Sequence, residues 1–359
     1  MQKKNKLKAH PNKGVLMKES VISRMLLEPS YGYVKEGELV KPAMLTLIKE
    51  WFIRINILAS RKNWYTFFCT GALVLSTVIL ALFFIQYFAW LPLIVASIFA
   101  AIILGVQQTI WHHRYCTHHS YKINSNWVKV LIRNMVPRFL LEEVYVVSHY
   151  VHHALSDQPG DPYNAKGGFW YCMFSEENQQ CTARDLNEND YNKVRKLLTH
   201  SGIYTNNYEE YQTWGTVSNP YHTIPNVIAN WMIWYSLLYL LGGHSWATAV
   251  IGINSVYLLA LRHFNYEGHG NGKEAWKEGS DFDRRSLAIN QASYGLISGE
   301  WHNNHHLYPN SANTGFQKNQ IDLAFQTILV MKYLGLVSHV RDSKNDFLEK
   351  YIHQKDFIP

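Results

Sequence analysis

The sequence predicts an all-α integral membrane protein: four transmembrane helices, paired as two hairpins, with a cytoplasmic helical cap. Two charge-free runs and the placement of basic residues carry that reading. Residues 63–113 and 211–261 contain no Asp, Glu, Lys or Arg, about 51 residues in each run. As helix, each would extend roughly 75 Å at ~1.5 Å per residue, against a hydrocarbon core of ~30 Å, so each can cross twice. Buried helices of soluble proteins are shorter and amphipathic. Mean hydropathy over the whole chain is only weakly negative, because polar segments dilute these runs.

In chain order, residues 1–62 form a basic amino-terminal segment (Lys3, Lys4, Lys6, Lys8, Lys13, Lys18, Arg24). Its first 20 residues have no apolar core of the signal-peptide kind, so membrane entry is expected through the first span. Residues 44–58 read as a helix lying on the interface. Residues 63–111 make the first hairpin, with spans near 65–88 and 90–110 and a break at Gln86-Tyr87-Phe88-Ala89-Trp90-Leu91-Pro92. Residues 112–225 are a cytoplasmic segment. Within it, 127–147 is apolar but carries Lys129, Arg133, Arg138, Glu142 and Glu143, and Pro137 would kink it; it reads as an interfacial or cytoplasmic helix rather than a fifth span. A turn follows at Asp161-Pro162-Tyr163-Asn164, then a soluble helix at 188–198. Residues 226–261 make the second hairpin, with spans near 226–241 and 246–261 and a break at Gly242-Gly243-His244. Residues 262–359 return to the cytoplasm and end with an amphipathic helix at 321–337.

The hairpin tips lack Lys and Arg, which places both termini in the cytoplasm under the positive-inside rule. The formal net charge of +7 suits an anionic leaflet or substrate, and no nucleic-acid motif is present. Cys69, Cys116, Cys172 and Cys181 show no CxxC spacing and are expected as free thiols.

The chemistry lies in the histidines. Of 18, nine fall in three clusters or at His269: His113 and His118; His149, His152 and His153; His302, His305 and His306. The other nine (His10, His112, His119, His200, His222, His244, His263, His339, His353) read as surface or packing residues, and Cys116 as an incidental neighbour of the first cluster. In HxxHH, residues at i, i+3 and i+4 share one helix face. Adjacent His152 and His153 diverge by about 100° and could reach different ions. Two such motifs supply six imidazoles, too many for one ion with an open position, so the spacing favours a dimetal site. His113 and His118, at i and i+5, would lie about 140° apart on a straight helix and so are expected to span a helix end. If the four spans hold, all nine return to the cytoplasmic side of the bilayer.

Imidazole suits Fe, Zn, Cu or Ni. Position favours iron, since a site facing lipid meets chains whose only handle is an unactivated C–H bond. Neutral imidazoles need acceptors behind them, and Glu142, Glu143, Asp161 and Glu300 are the candidates, each otherwise a solvated acid. Asn265 could hold a metal-bound water or be an ordinary turn residue. Gln107 and Gln108 could line an acyl tunnel or sit as interfacial amides.

These residues resemble the membrane-bound fatty acid desaturases of the acyl-CoA and acyl-lipid Δ9 type. The match runs over about 65–325. It rests on His113-Arg114 through His118-His119-Ser120-Tyr121-Lys122, the HxxHH at His149 followed by Asp161-Pro162-Tyr163-Asn164, and Gly299-Glu300-Trp301-His302-Asn303-Asn304-His305-His306. The resemblance implies two iron ions (Fe2+) held by the nine histidines, a metal-bound water held by Asn265, and O2-dependent insertion of a double bond into a long acyl chain. It also implies an acyl-CoA or acyl-lipid substrate and a bacterial inner membrane, or else an endoplasmic reticulum. No haem-binding or iron-sulfur pattern is fused to the chain, so a separate ferredoxin or b-type cytochrome with its reductase is expected to supply electrons. Asn265-Tyr266-Glu267-Gly268-His269-Gly270 departs from the family's small-residue NSxxH pattern towards a box of membrane alkane hydroxylases, which keeps a hydroxylase as the alternative. A membrane metal-binding or transport protein is disfavoured, since ion pathways use ionisable residues within the spans.

Overall fold

In this computed structural model the described residues are 21–270, 301–318 and 320–350. Among them the architecture is helical, with two short antiparallel ladders: β1 (Val34–Lys35) with β2 (Glu38–Leu39), and β3 (Lys122–Ile123) with β4 (Val337–Ser338). The helices that position the site are α1 (Met44–Ile55), α2 (Trp64–Gln86), α3 (Trp90–Thr117), α4 (Asn126–Asn134), α5 (Glu142–Leu155), α6 (Glu188–Leu197), α7 (Pro220–Gly252), α8 (Asn254–Gly268), α9 (His302–Leu307) and α10 (Leu323–Tyr333).

Three helical runs among the described residues are long and apolar enough to cross a membrane: Arg61–Gln86, Trp90–Thr117 and Pro220–Gly268. The third is broken where the sequence places the second hairpin tip. Gly242 (φ −169°, ψ 26°) and Gly243 (φ 70°, ψ −163°) leave helical geometry. A Cβ on Gly242 would lie 2.0 Å from the Trp246 ring, and the φ of Gly243 is one that glycine adopts without penalty. The chain reverses there. Trp231 stacks on Phe68, Ser245 donates to the carbonyl of Tyr87, and Ser76 donates to the carbonyls of Ile251 and Gly252. α7 therefore ascends along α2, turns at the glycines and descends along the same helix. Gly252 permits the close return, since a Cβ would sit 2.6 Å from the Leu80 Cα.

The stretch 127–147 is two helices rather than one. Pro137 removes a helical donor, and the intervening backbone is satisfied by α7 instead. Arg138 N donates to Asn230 Oδ1 at 2.9 Å, and Trp231 Nε1 donates to the Arg138 carbonyl at 2.9 Å. Glu142 then anchors the start of α5, accepting from Arg133 Nε at 2.7 Å, Arg138 Nη2 at 3.0 Å and Trp111 Nε1 at 3.2 Å. Burial alone would raise its pKa, but the two guanidiniums hold it well below the carboxylate range.

Beyond the apolar helices lies the largest core. Ile110 and Trp111 of α3, Val147 and Val151 of α5, Val194 of α6 and Ile328 of α10 meet there, all fully or almost fully buried. This core fixes the end of α3 against α5, the two elements that carry the first two histidine clusters. All four cysteines are free thiols.

Candidate metal centre

The first cluster is built on a change of helical pitch. From Thr109 to Thr117, α3 winds as a π-helix, and the amide of His118 donates to the carbonyl of His113 at 3.0 Å. That wide turn brings rings five residues apart to 4.8 Å between centroids. Between them in sequence, Arg114 points the other way, pairing with Asp322 Oδ2 at 2.7 Å and donating to the carbonyl of Ala312 at 2.6 Å. It locks the cluster to the loop before α10.

Around this turn, α5 contributes His149, His152 and His153, α9 contributes His302, His305 and His306, and His269 follows the last residue of α8. All nine converge into two sets: His113, His118, His149, His153 and His305, and His152, His269, His302 and His306. Within each set the ligand atoms lie within 4.8 Å of one another. The adjacent pairs His152/His153 and His305/His306 each divide between the sets.

The donor geometry suits a metal. Nε2 to Nε2 separations are 2.9 Å for His113 and His305, 2.9 Å for His305 and His153, 3.1 Å for His153 and His149, and 2.9 Å for His302 and His269. At a metal–nitrogen distance of ~2.1 Å, two ligands at right angles sit about 3.0 Å apart and two at the tetrahedral angle about 3.4 Å. Hydrogen bonding does not account for the cluster, because His305 Nε2 faces two ring nitrogens and can engage only one by a proton in its plane. His118 Nε2 is buried with no hydrogen-bond partner. Burial first, and neighbouring rings second, push His118, His149, His153, His302, His305 and His306 below their ordinary pKa, leaving neutral lone pairs free to bind metal.

Two carboxylates stand behind the four-histidine set. His152 Nδ1 lies 2.8 Å from Asp161 Oδ1, and His269 Nδ1 lies 3.2 Å from Asp157 Oδ1. Against the histidines lies a cavity of about 300 Å³, walled by His113, His149 and His302 on the metal side. Much of its remaining lining is small or apolar, with Ser97, Ala100, Ala101 and Gly105 from α3 and Ile253, Val256 and Leu258 from the second apolar run. The small side chains at one-turn spacing on α3 leave the room that Leu or Phe would fill.

No family model matches the chain. Several curated relatives do, among them the following three. Delta-9 acyl-lipid desaturase 2 of Arabidopsis thaliana is 26% identical over 287 residues, 78% of this chain and 84% of that protein. The sn-1 stearoyl-lipid 9-desaturase of Synechocystis sp. is 26% identical over 271 residues, 74% and 76% of the two chains. The acyl-CoA C20 Delta5-desaturase of Anemone leveillei is 28% identical over 278 residues, 73% and 78%. Over about three quarters of its length the chain is similar to fatty acid desaturases. It is accordingly an oxidoreductase.

Within this desaturase, several residues singled out from sequence fall elsewhere than expected. Gln108 lines the cavity and bonds Tyr257 Oη at 2.5 Å, whereas Gln107 turns away and donates to the carbonyl of Ile132 at 3.2 Å. Glu142 serves the arginine anchor described above. Glu143 accepts from the amides of Val217 and Ser218 and from Thr182 Oγ1, so both acids brace the fold. Asn265 lines the cavity. Glu300 lies outside the described residues. Asp157 was not singled out from sequence; its place in the turn that also holds Asp161 was the available signal.

Proposed function

We propose that this desaturase uses two iron ions, held by the two histidine sets, to insert a double bond into a saturated long acyl chain at the Δ9 position with O2 as oxidant. The observation that carries the reading is the shared wall: His113 and His149 of one set and His302 of the other border the same apolar cavity. Iron there would supply O2 activation and the oxidising power to take hydrogen from an unactivated methylene. The chain's own residues supply position. The α3 and α8 walls hold an extended acyl chain, each methylene contributing ~0.8 kcal/mol on burial, and set two neighbouring carbons beside the histidines while excluding water. Asn265, which lines the same cavity as His302, would hold a water on the four-histidine set.

The reading extends to topology. The Gly242-Gly243 reversal favours four crossings, with both termini and the cap segments 112–225 and 262–359 on the cytoplasmic side of a bacterial inner membrane. The acyl group would arrive as acyl-CoA or acyl-lipid, and electrons from a separate ferredoxin or b-type cytochrome.

The test is mass spectrometry of fatty acids, with double-bond location, from cells expressing the chain and its His302→Ala variant. A monounsaturated species formed only by the intact chain is expected. Hydroxylated products would move the reading to a hydroxylase on the same scaffold, and normal desaturation by the variant would overturn the metal assignment.

A further inference from the structure

Asp157 occupies a costly backbone position. Its φ is +58°, in the left-handed region that non-glycine residues rarely enter, although Asp and Asn tolerate it best. It is held there from both sides. Its amide donates to Asp161 Oδ2 at 2.9 Å, and its carbonyl accepts from Lys166 Nζ at 3.2 Å. The consequence is directional: the carboxylate, 7% exposed, reaches His269 Nδ1 at 3.2 Å. Asp161, 0% exposed, meanwhile reaches His152 Nδ1 through its other oxygen.

A single chain of contacts, His152 to Asp161 to Asp157 to His269, therefore joins a histidine of α5 to one just beyond α8, both in the same set. His269 needs such a tether more than the others. It lies just past the last turn of α8 with non-helical geometry (φ −105°, ψ 32°), so its own helix does not orient it. An acceptor at Nδ1 fixes both the ring plane and the tautomer that leaves Nε2 for metal.

We propose that Asp157 is a positioning residue, which aims His269 into the four-histidine set and ties it through Asp161 to His152. The inference rests on the two-iron reading above. Outer carboxylates of this kind are worth about 10–100-fold in metal affinity, and here the loss should fall on one ion of the two.

Asp157→Gly separates the side chain from the backbone, because glycine adopts this φ freely. Asp157→Asn keeps an acceptor and a residue suited to the left-handed region. The experiment is iron content, resistance to a competing chelator and Mössbauer spectroscopy on the purified full-length wild type and both variants. The expected result is two irons in the wild type, about 10–100-fold weaker retention of one iron in Asp157→Gly with the signal of the other unchanged, and an intermediate effect in Asp157→Asn. Asp157→Gly with both irons held and both signals unaltered would overturn the proposal, as would equal loss of both. A folded wild type without iron would overturn the two-iron reading and the role of Asp157 together.

Discussion

The amide of His118 donates to the carbonyl of His113 across a turn of five residues, and their rings meet at 85° with centroids 4.8 Å apart. On an α-helix these two side chains would point apart. The π turn converts that spacing into a pair of rings that face each other, at the expense of poorer helical packing that the surrounding core must offset. Wide turns of this kind recur at functional sites for the same reason.

His118→Ala keeps this backbone and removes one ring of the five-histidine set. The expected outcome is selective loss of iron from that set with a folded protein, and a fall in product of at least about 100-fold, at the upper end of what loss of a supporting residue alone costs. Iron analysis beside product analysis checks it. Full iron content in the variant would remove His118 from the ligand set.

Arg114 sits one residue from His113 yet points to the scaffold. Both it and Asp322 are almost wholly buried, and Asp322 also accepts from Thr314 and caps α10 at Phe325 N. Breaking such a pair by removing one charge costs about 3–5 kcal/mol, because the other is left buried and unpaired. Arg114→Met should lower the thermal midpoint in detergent and release iron. Arg114→Met with Asp322→Asn should recover part of the loss, and an unrecovered double variant would show that packing rather than charge is at stake.

The apolar helices were legible because lipid imposes a simple rule on composition. The first was expected at 65–88 and runs Trp64–Gln86, and the break at Gly242 falls where the glycines announce it. The convergence of HxxHH motifs was legible because helical periodicity alone puts their rings on one face. Other features depend on tertiary partners that sequence does not display. No residue type marks a π turn. Pro137 signalled a kink, but only the side-chain amide of Asn230 and the indole N–H of Trp231 on α7, which take up the carbonyls of Val136 and Arg138, explain why the chain leaves helix altogether. Asp157 looks like a turn residue until His269, distant in sequence, is placed against it. Glu142 and Glu143 were plausible partners for histidine by proximity in sequence, yet the first turn of α5 points them to arginines and backbone amides.

Ala100, which lines the cavity, should govern which chains fit. Ala100→Phe fills space that an acyl chain would occupy, and each methylene excluded costs about 0.8 kcal/mol, close to fourfold in binding. Long-chain products should therefore decline relative to shorter ones, with iron content unchanged. An unaltered chain-length profile would place the acyl chain elsewhere.

Acid should destabilise the metal-free protein. His118, His149, His153, His302, His305 and His306 are each held below their ordinary value of 6.5, first by burial and then by neighbouring imidazoles. In the unfolded chain they regain that value. Below about pH 6.5 the unfolded state binds more protons than the folded one, so stability rises with pH through this region and is lost as pH falls. Thermal midpoints of metal-free protein should thus stay level above about pH 7.5 and drop steadily towards pH 5. Bound metal should shift the drop to lower pH, since protons must then displace it from the same nitrogens. A metal-free midpoint that is flat across this range would mean that the rings are not buried neutral bases, and would undercut the readiness of both sets to take up metal.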